Sequence, residues 1–150
     1  KGFALTPEVK ALAAQFRQNK GKLPWPVENG LIVRRYGTQA HPTLKGITIT
    51  SPGLHIATNK GENAHSVFDG KVLSILLFKG GKKAVLIQHG NYITTYNNLE
   101  IAYVKTGDAV KTGQEIGKIF TNRATGKTIL IFVLHKETQR QNPVSWIAKR

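Results

Sequence analysis

From Leu31 onward the chain breaks into short runs rich in valine, isoleucine, leucine, threonine and tyrosine, separated by glycine, asparagine or aspartate. Such runs predict strands at residues 31–35, 47–50, 55–58, 66–68, 71–78, 84–89, 92–97, 103–104, 115–120 and 129–135. The intervening pairs have turn chemistry, as in Asp69-Gly70, Gly80-Gly81, Gly90-Asn91 and Thr112-Gly113. Many short strands at this spacing predict an antiparallel β-sandwich or barrel. Before Leu31 the period changes. Val9, Leu12, Ala13 and Phe16 recur at helical spacing, behind Thr6 as N-cap, Pro7 at the first helical position and Glu8 at the positive end of the dipole. Asn19-Lys20-Gly21 ends this helix, which at about 12 residues is stable only when docked. Leu23-Pro24-Trp25-Pro26-Val27 holds two prolines and predicts an extended strap anchored by Trp25. Ser145-Trp146-Ile147, after Asn142-Pro143, predicts a last helical turn that lays Trp146 on the core. The expected architecture is mainly β with a short N-terminal helix, in two parts: an arm at 1–22 and a β domain at 23–150.

The stretch from Val104 to Gly117 is the most ordered. Val104-Lys105-Thr106-Gly107 and Val110-Lys111-Thr112-Gly113 repeat six residues apart, and Ile116-Gly117 closes them. The glycines permit tight turns and the apolar residues between them point inward. The arrangement resembles the hairpins of lipoyl-like and duplicated-hybrid-motif sandwiches. A lipoyl or biotin carrier needs a modifiable lysine in its own hairpin setting, and no such setting is present.

Composition narrows the function. At 150 residues without a long linker, the chain suits one compact domain with its own core. Cysteine is absent, so neither disulfides nor thiolate metal sites are available. No run of about 18 apolar residues occurs, so no membrane insertion is expected. The chain starts without Met or a signal-like apolar core, and the start reads as a cut edge of a longer protein. Lysine and arginine number 22 against 8 acidic residues, a net charge of +14 that favours acidic partners. The basic residues are scattered, as at Arg34-Arg35 and Lys82-Lys83, with no stacking or finger signature, so nucleic acid is not expected as a partner.

Four segments in order resemble the LytM or lysostaphin-type metallopeptidase domain. Arg35-Tyr36-Gly37-Thr38-Gln39-Ala40-His41-Pro42 is similar to its opening loop, and Gly61 through Asp69-Gly70-Lys71-Val72 to its Gly-x-x-Val strand pair. Leu86 to Leu99 is similar to its His-Gly…Tyr-x-His-Leu segment, and Asn142-Pro143-Val144-Ser145-Trp146 to its closing Asn-Pro-x-x-Trp. The 104–117 repeat sits between them. Active members of that family hold zinc through His-x-x-x-Asp and the last His of His-x-His, with two further histidines handling the water and the oxyanion. Three protein ligands and one open position would let the zinc acidify bound water.

Mapped onto this chain, those positions are degenerate. The first metal histidine falls on Ser51 and the aspartate on His55. The histidine of Tyr-x-His falls on Asn98, and His-x-His on Ile129-Leu130-Ile131. One imidazole cannot hold zinc against water, so neither metal nor cofactor is expected and the resemblance implies a catalytically dead domain. Of the other histidines (His41, His65, His89 and His135), the family's geometry would bring His41 and His89 near the cleft with His55.

Pro24-Trp25-Pro26-Val27 and Leu44-Lys45-Gly46 are similar to dead LytM domains of murein hydrolase activators. That resemblance implies a periplasmic or cell-envelope protein of cell division. It would bind a helix of an N-acetylmuramoyl-alanine amidase in the groove where zinc would sit, lined by Tyr36, His55, Tyr96, Asn98, Ile129 and Ile131. A peptidoglycan-binding module is a second reading, and an active metallopeptidase with differently aligned ligands a third. The N-terminal helix is expected either to lie in that groove and compete with the partner or to cover one edge of the sandwich.

Overall fold

The computed structural model describes residues 6–149. The leading helix, α1 (Pro7–Gln18), has the predicted caps: Thr6 Oγ1 accepts the Val9 amide at 3.2 Å, and Asn19 ends it. Its apolar face turns Ala13 and Phe16 inward. The Phe16 ring is wholly buried among His89, Tyr92, Trp146 and Phe68, with centroids 4.7–5.6 Å away. The helix therefore shares one core with the strands and covers an end of the β-structure.

Twelve strands follow among the described residues. They are β1 (Leu31–Arg34), β2 (Gly37–Ala40), β3 (Thr48–Ser51), β4 (Leu54–Thr58), β5 (Asn63–His65) and β6 (Gly70–Leu77), then β7 (Lys83–His89), β8 (Tyr92–Ala102), β9 (Ala109–Val110), β10 (Glu115–Ile119), β11 (Thr128–Lys136) and β12 (Gln139–Gln141). The main sheet runs β1-β4-β11-β8-β7-β6-β9, with every neighbour antiparallel, and β2-β3 forms a separate hairpin.

β8 is the hinge of the architecture. Along Tyr92–Asn97 it pairs with β11, and from Leu99 it pairs instead with β10, which continues to β5. The change of partner falls at Asn98, whose φ of 76° is left-handed. Asparagine tolerates that region better than most residues because its short polar side chain bonds locally. Here the Asn98 amide donates to the Ile129 carbonyl at 2.7 Å, and its own carbonyl accepts the Phe120 amide at 2.9 Å. One residue thus ties the corner to both strands. Inside the fold, Leu54, Ile56, Ile87, Leu99, Ile119, Leu130 and Phe132 make a closed core.

The predicted strand at 66–68 lies three residues earlier, at Asn63–His65. The Ser66 hydroxyl donates to the Phe68 carbonyl at 2.7 Å and bends the chain there. Residues 103–104 are not a strand, although the Tyr103 amide donates to the Ile116 carbonyl. β2, β9 and β12 carry too little apolar alternation to be predicted; pairing with their neighbours makes them strands. The last turn is a 3-10 helix at Pro143–Ser145, and it buries Trp146 as predicted. Trp25 is anchored too, its indole donating to the Ala148 carbonyl at 2.6 Å. In the 104–117 repeat Val104, Val110 and Ile116 point inward. Its two turns are built alike: Asp108 and Gln114 side chains accept the Lys105 and Lys111 amides, and their own amides donate back to the same lysines' carbonyls.

Candidate functional site

Residues paired across antiparallel strands present their side chains on the same face. Following the register across the sheet, Arg34 pairs with His55, His55 with Ile131, Ile131 with Asn97, and Asn97 with Ala84. The flanking row joins Leu31, Ala57 and Ile129, and the opposite one joins Val133, Thr95 and Leu86. These rows form the face of the sheet opposite the core, because on β11 the alternating residues Leu130, Phe132 and Leu134 are the buried ones. A sheet with one solvated face ordinarily alternates apolar with polar. β11 instead reads Ile129, Ile131 and Val133 on its outer side, all half-buried.

His55 and Ile131 are therefore direct cross-strand neighbours, and Ile129 lies one row away. Asn98 reaches the same strand through the Ile129 carbonyl. Tyr36 sits in the link between β1 and β2, between Arg34, which pairs with His55, and Gly37, which pairs with Ser51. Ser51 lies at the end of β3 on the turn into β4. It is buried, and its hydroxyl donates to the Gly53 carbonyl at 2.7 Å.

The chemistry of this set is poor for a metal. The Ser51 hydroxyl is already engaged, two side chains are hydrocarbon, and the Asn98 amide nitrogen is bonded to backbone. Only the His55 imidazole remains as a ready donor. Burial, and then the Arg34 charge beside it, hold its pKa below the ordinary value, so it is neutral at pH 7. Among the described residues no group of three or more His, Cys, Asp or Glu side chains converges to hold a metal ion. The donor set does not fit zinc, and no hydrolytic step can be derived through it.

Two expectations are corrected. Tyr96 does not line this face: it is 0% exposed on the core side of β8, with its hydroxyl 2.9 Å from that of Thr94 and accepting the Val67 amide at 3.0 Å. Burial pushes its phenol up to about 12. Its sequence neighbour Asn97 occupies the outer face instead, since adjacent strand residues point to opposite sides. His89 does not approach the cleft with His41 and His55. It is fully buried, stacked on Phe16, with Nδ1 2.7 Å from the Asp69 carbonyl and Nε2 2.8 Å from the Thr94 hydroxyl. Burial lowers its pKa to about 4, against an opposing hydrogen bond to Asp69. His41 Nδ1 accepts the Thr43 and Leu44 amides within its own turn. Of the two placements expected for α1, the structure has the covering one: Phe16 docks the helix on the core side, not across the outer face.

Arg34, Ala57, Asn97 and Val133 belong to this face and were not anticipated. Alternation within β8 and β11 carried that signal, but the mixed faces of 92–97 hid it: Thr94 lies inside while Ile93 is partly exposed.

The family model described as Peptidase family M23 matches residues 50–143. The chain is similar to the murein hydrolase activator EnvC of Escherichia coli K12, 27% identical over 87% of this chain and 30% of that protein. It thus spans about a third of that relative's length. Among solved structures it is similar to Helicobacter pylori Csd3 (TM-score 0.71, 28% identity, 87% of this chain and 36% of that one). It is also similar to a zinc-containing peptidase from Vibrio cholerae (TM-score 0.70, 26% identity, 87% and 41%).

Proposed function

The chain belongs to peptidase family M23, and from that premise we propose that it is a non-catalytic member that binds and activates a peptidoglycan amidase. The observation that carries this reading is the outer face of β11. Where the resemblance would put His-x-His, Ile129 and Ile131 stand beside Val133, next to a neutral His55. Loss of the zinc donors removes the reaction, and replacement by isoleucine makes an apolar strip. Such a strip suits the apolar side of an amphipathic helix, anchored at spacings of three and four residues. Tyr36, Asn98 and Arg34 then supply the polar edge of the binding face. Similarity to EnvC supports the activator role and a place in the cell envelope. No helix among the described residues is long and apolar enough to cross a membrane.

Capture on immobilised chain tests the reading. An amidase should be retained from solution while purified sacculi are not; the reverse result would make the chain a peptidoglycan-binding module. Stoichiometric zinc in the purified protein, with chelator-sensitive clearance of labelled cell wall, would restore the peptidase.

A further inference from the structure

The hairpin between β6 and β7 ends in Leu76-Leu77-Phe78-Lys79-Gly80-Gly81-Lys82-Lys83. Leu76 is 43% exposed, Leu77 73% and Phe78 46%. Successive strand residues point to opposite faces, so Leu76 and Leu77 leave apolar surface on both sides of the hairpin end. A flat protein surface covers one side of a hairpin, whereas a fluid apolar medium surrounds both. The charges are one-sided as well. From Gly70 to Leu99 the chain has no acidic residue, and three lysines crowd the tip. Lys82 folds over the Phe120 ring at 4.8 Å, and Lys83 Nζ donates to the Gly81 and Glu100 carbonyls. Glu100 in turn lines a cavity of about 510 Å³ with Lys60, Lys118 and Arg123. That cavity sets three cations against one carboxylate.

We propose that this end of the molecule docks on an anionic lipid surface, with Leu76, Leu77 and Phe78 immersed at the headgroup–acyl boundary and the neighbouring cations facing lipid phosphates. No spanning segment is needed: apolar burial and attraction of basic residues to anionic headgroups act together in interfacial binding. The long stems of Lys79 and Lys82 let their charges stay at headgroup level while the tip is buried.

Sedimentation of the chain with vesicles of phosphatidylcholine, with and without 30% phosphatidylglycerol (roughly the charge of an anionic leaflet), tests this. Binding should require phosphatidylglycerol and weaken about tenfold between 0.1 and 0.5 M salt. The double variant L77S/F78S, at exposed positions, should lose at least about tenfold in partitioning with an unchanged melting temperature. K79E should also weaken binding. Absence of binding at low salt would overturn the proposal. So would binding that L77S/F78S leaves unchanged, which would reduce it to unspecific charge attraction. Salt-insensitive self-association that L77S/F78S abolishes, with no vesicle binding, would assign the tip to a second copy of the chain instead.

Discussion

Asn98 was expected at a degenerate site position, and in the structure it holds the corner of β8. It holds a left-handed φ of 76° where β8 passes from β11 to β10, and its amide ties that corner to the Ile129 carbonyl. Replacing it by alanine removes the hydrogen bond and keeps the unfavourable φ, an expected loss of about 2 kcal/mol in urea unfolding. Glycine, free of the φ penalty, should lose about half as much. Equal losses would mean that the backbone conformation contributes nothing. His89 offers a second test. Its folded pKa of about 4 lies below its unfolded value, so its contribution is fully present above about pH 6.5. Between about 6.5 and 4 the unfolded chain takes up a proton that the folded one refuses. Stability should fall by roughly 3 kcal/mol across that window. His55 and His135, also lowered by burial, act in the same direction. His89→Gln should flatten the slope, whatever its cost at neutral pH; an unchanged slope would mean that other groups control acid unfolding. That His55, Ile129 and Ile131 share one face was legible in sequence, because their alternation along the strands places them there. The burial of Tyr96 and His89 was not, because a tyrosine or histidine beside a turn does not announce which face of its strand is closed.

The helix and the longer strands follow from pattern, and the short strands do not. Capping residues and a four-residue apolar face placed α1 between Thr6 and Asn19, whereas the polar strands β2 and β12 acquire their state from pairing. Where α1 would dock could not be read from its own residues, since the face of Ala13 and Phe16 suits a groove as well as a core. The partner is Gly90, at the β7–β8 turn. It has a φ of +70°, and a Cβ there would stand 2.6 Å from the Ala13 backbone nitrogen. A helix backbone cannot yield as a flexible side chain would. Gly90→Ala should therefore cost about 3 kcal/mol and free α1. Thermal melting with proteolysis should report a lower midpoint and early cleavage near Phe16. A variant that melts as the parent does would show that α1 docks without the close approach.

At the scale of the whole molecule, one sheet carries a closed core on one side and an unusually apolar strip on the other, inside a surface of net charge +14. The charge should act on encounter and the strip on retention. Association with an acidic amidase surface should slow as ionic strength rises through the range where screening shortens to about 8 Å and below, while dissociation changes little. A salt-independent association rate would remove the charge from recognition. If the apolar outer side of β11 is a partner surface, a charge placed in it should abolish activation. The most direct measurement is release of dye-labelled cell-wall fragments by an amidase, alone, with the chain, and with its Ile131→Asp variant. The substitution puts an unpaired carboxylate into the apolar strip at a half-buried position on the face opposite the core. The chain alone should release nothing, the parent chain should stimulate the amidase strongly, and a folded Ile131→Asp variant should not. Release by the chain without amidase, or full stimulation by Ile131→Asp, would contradict this reading.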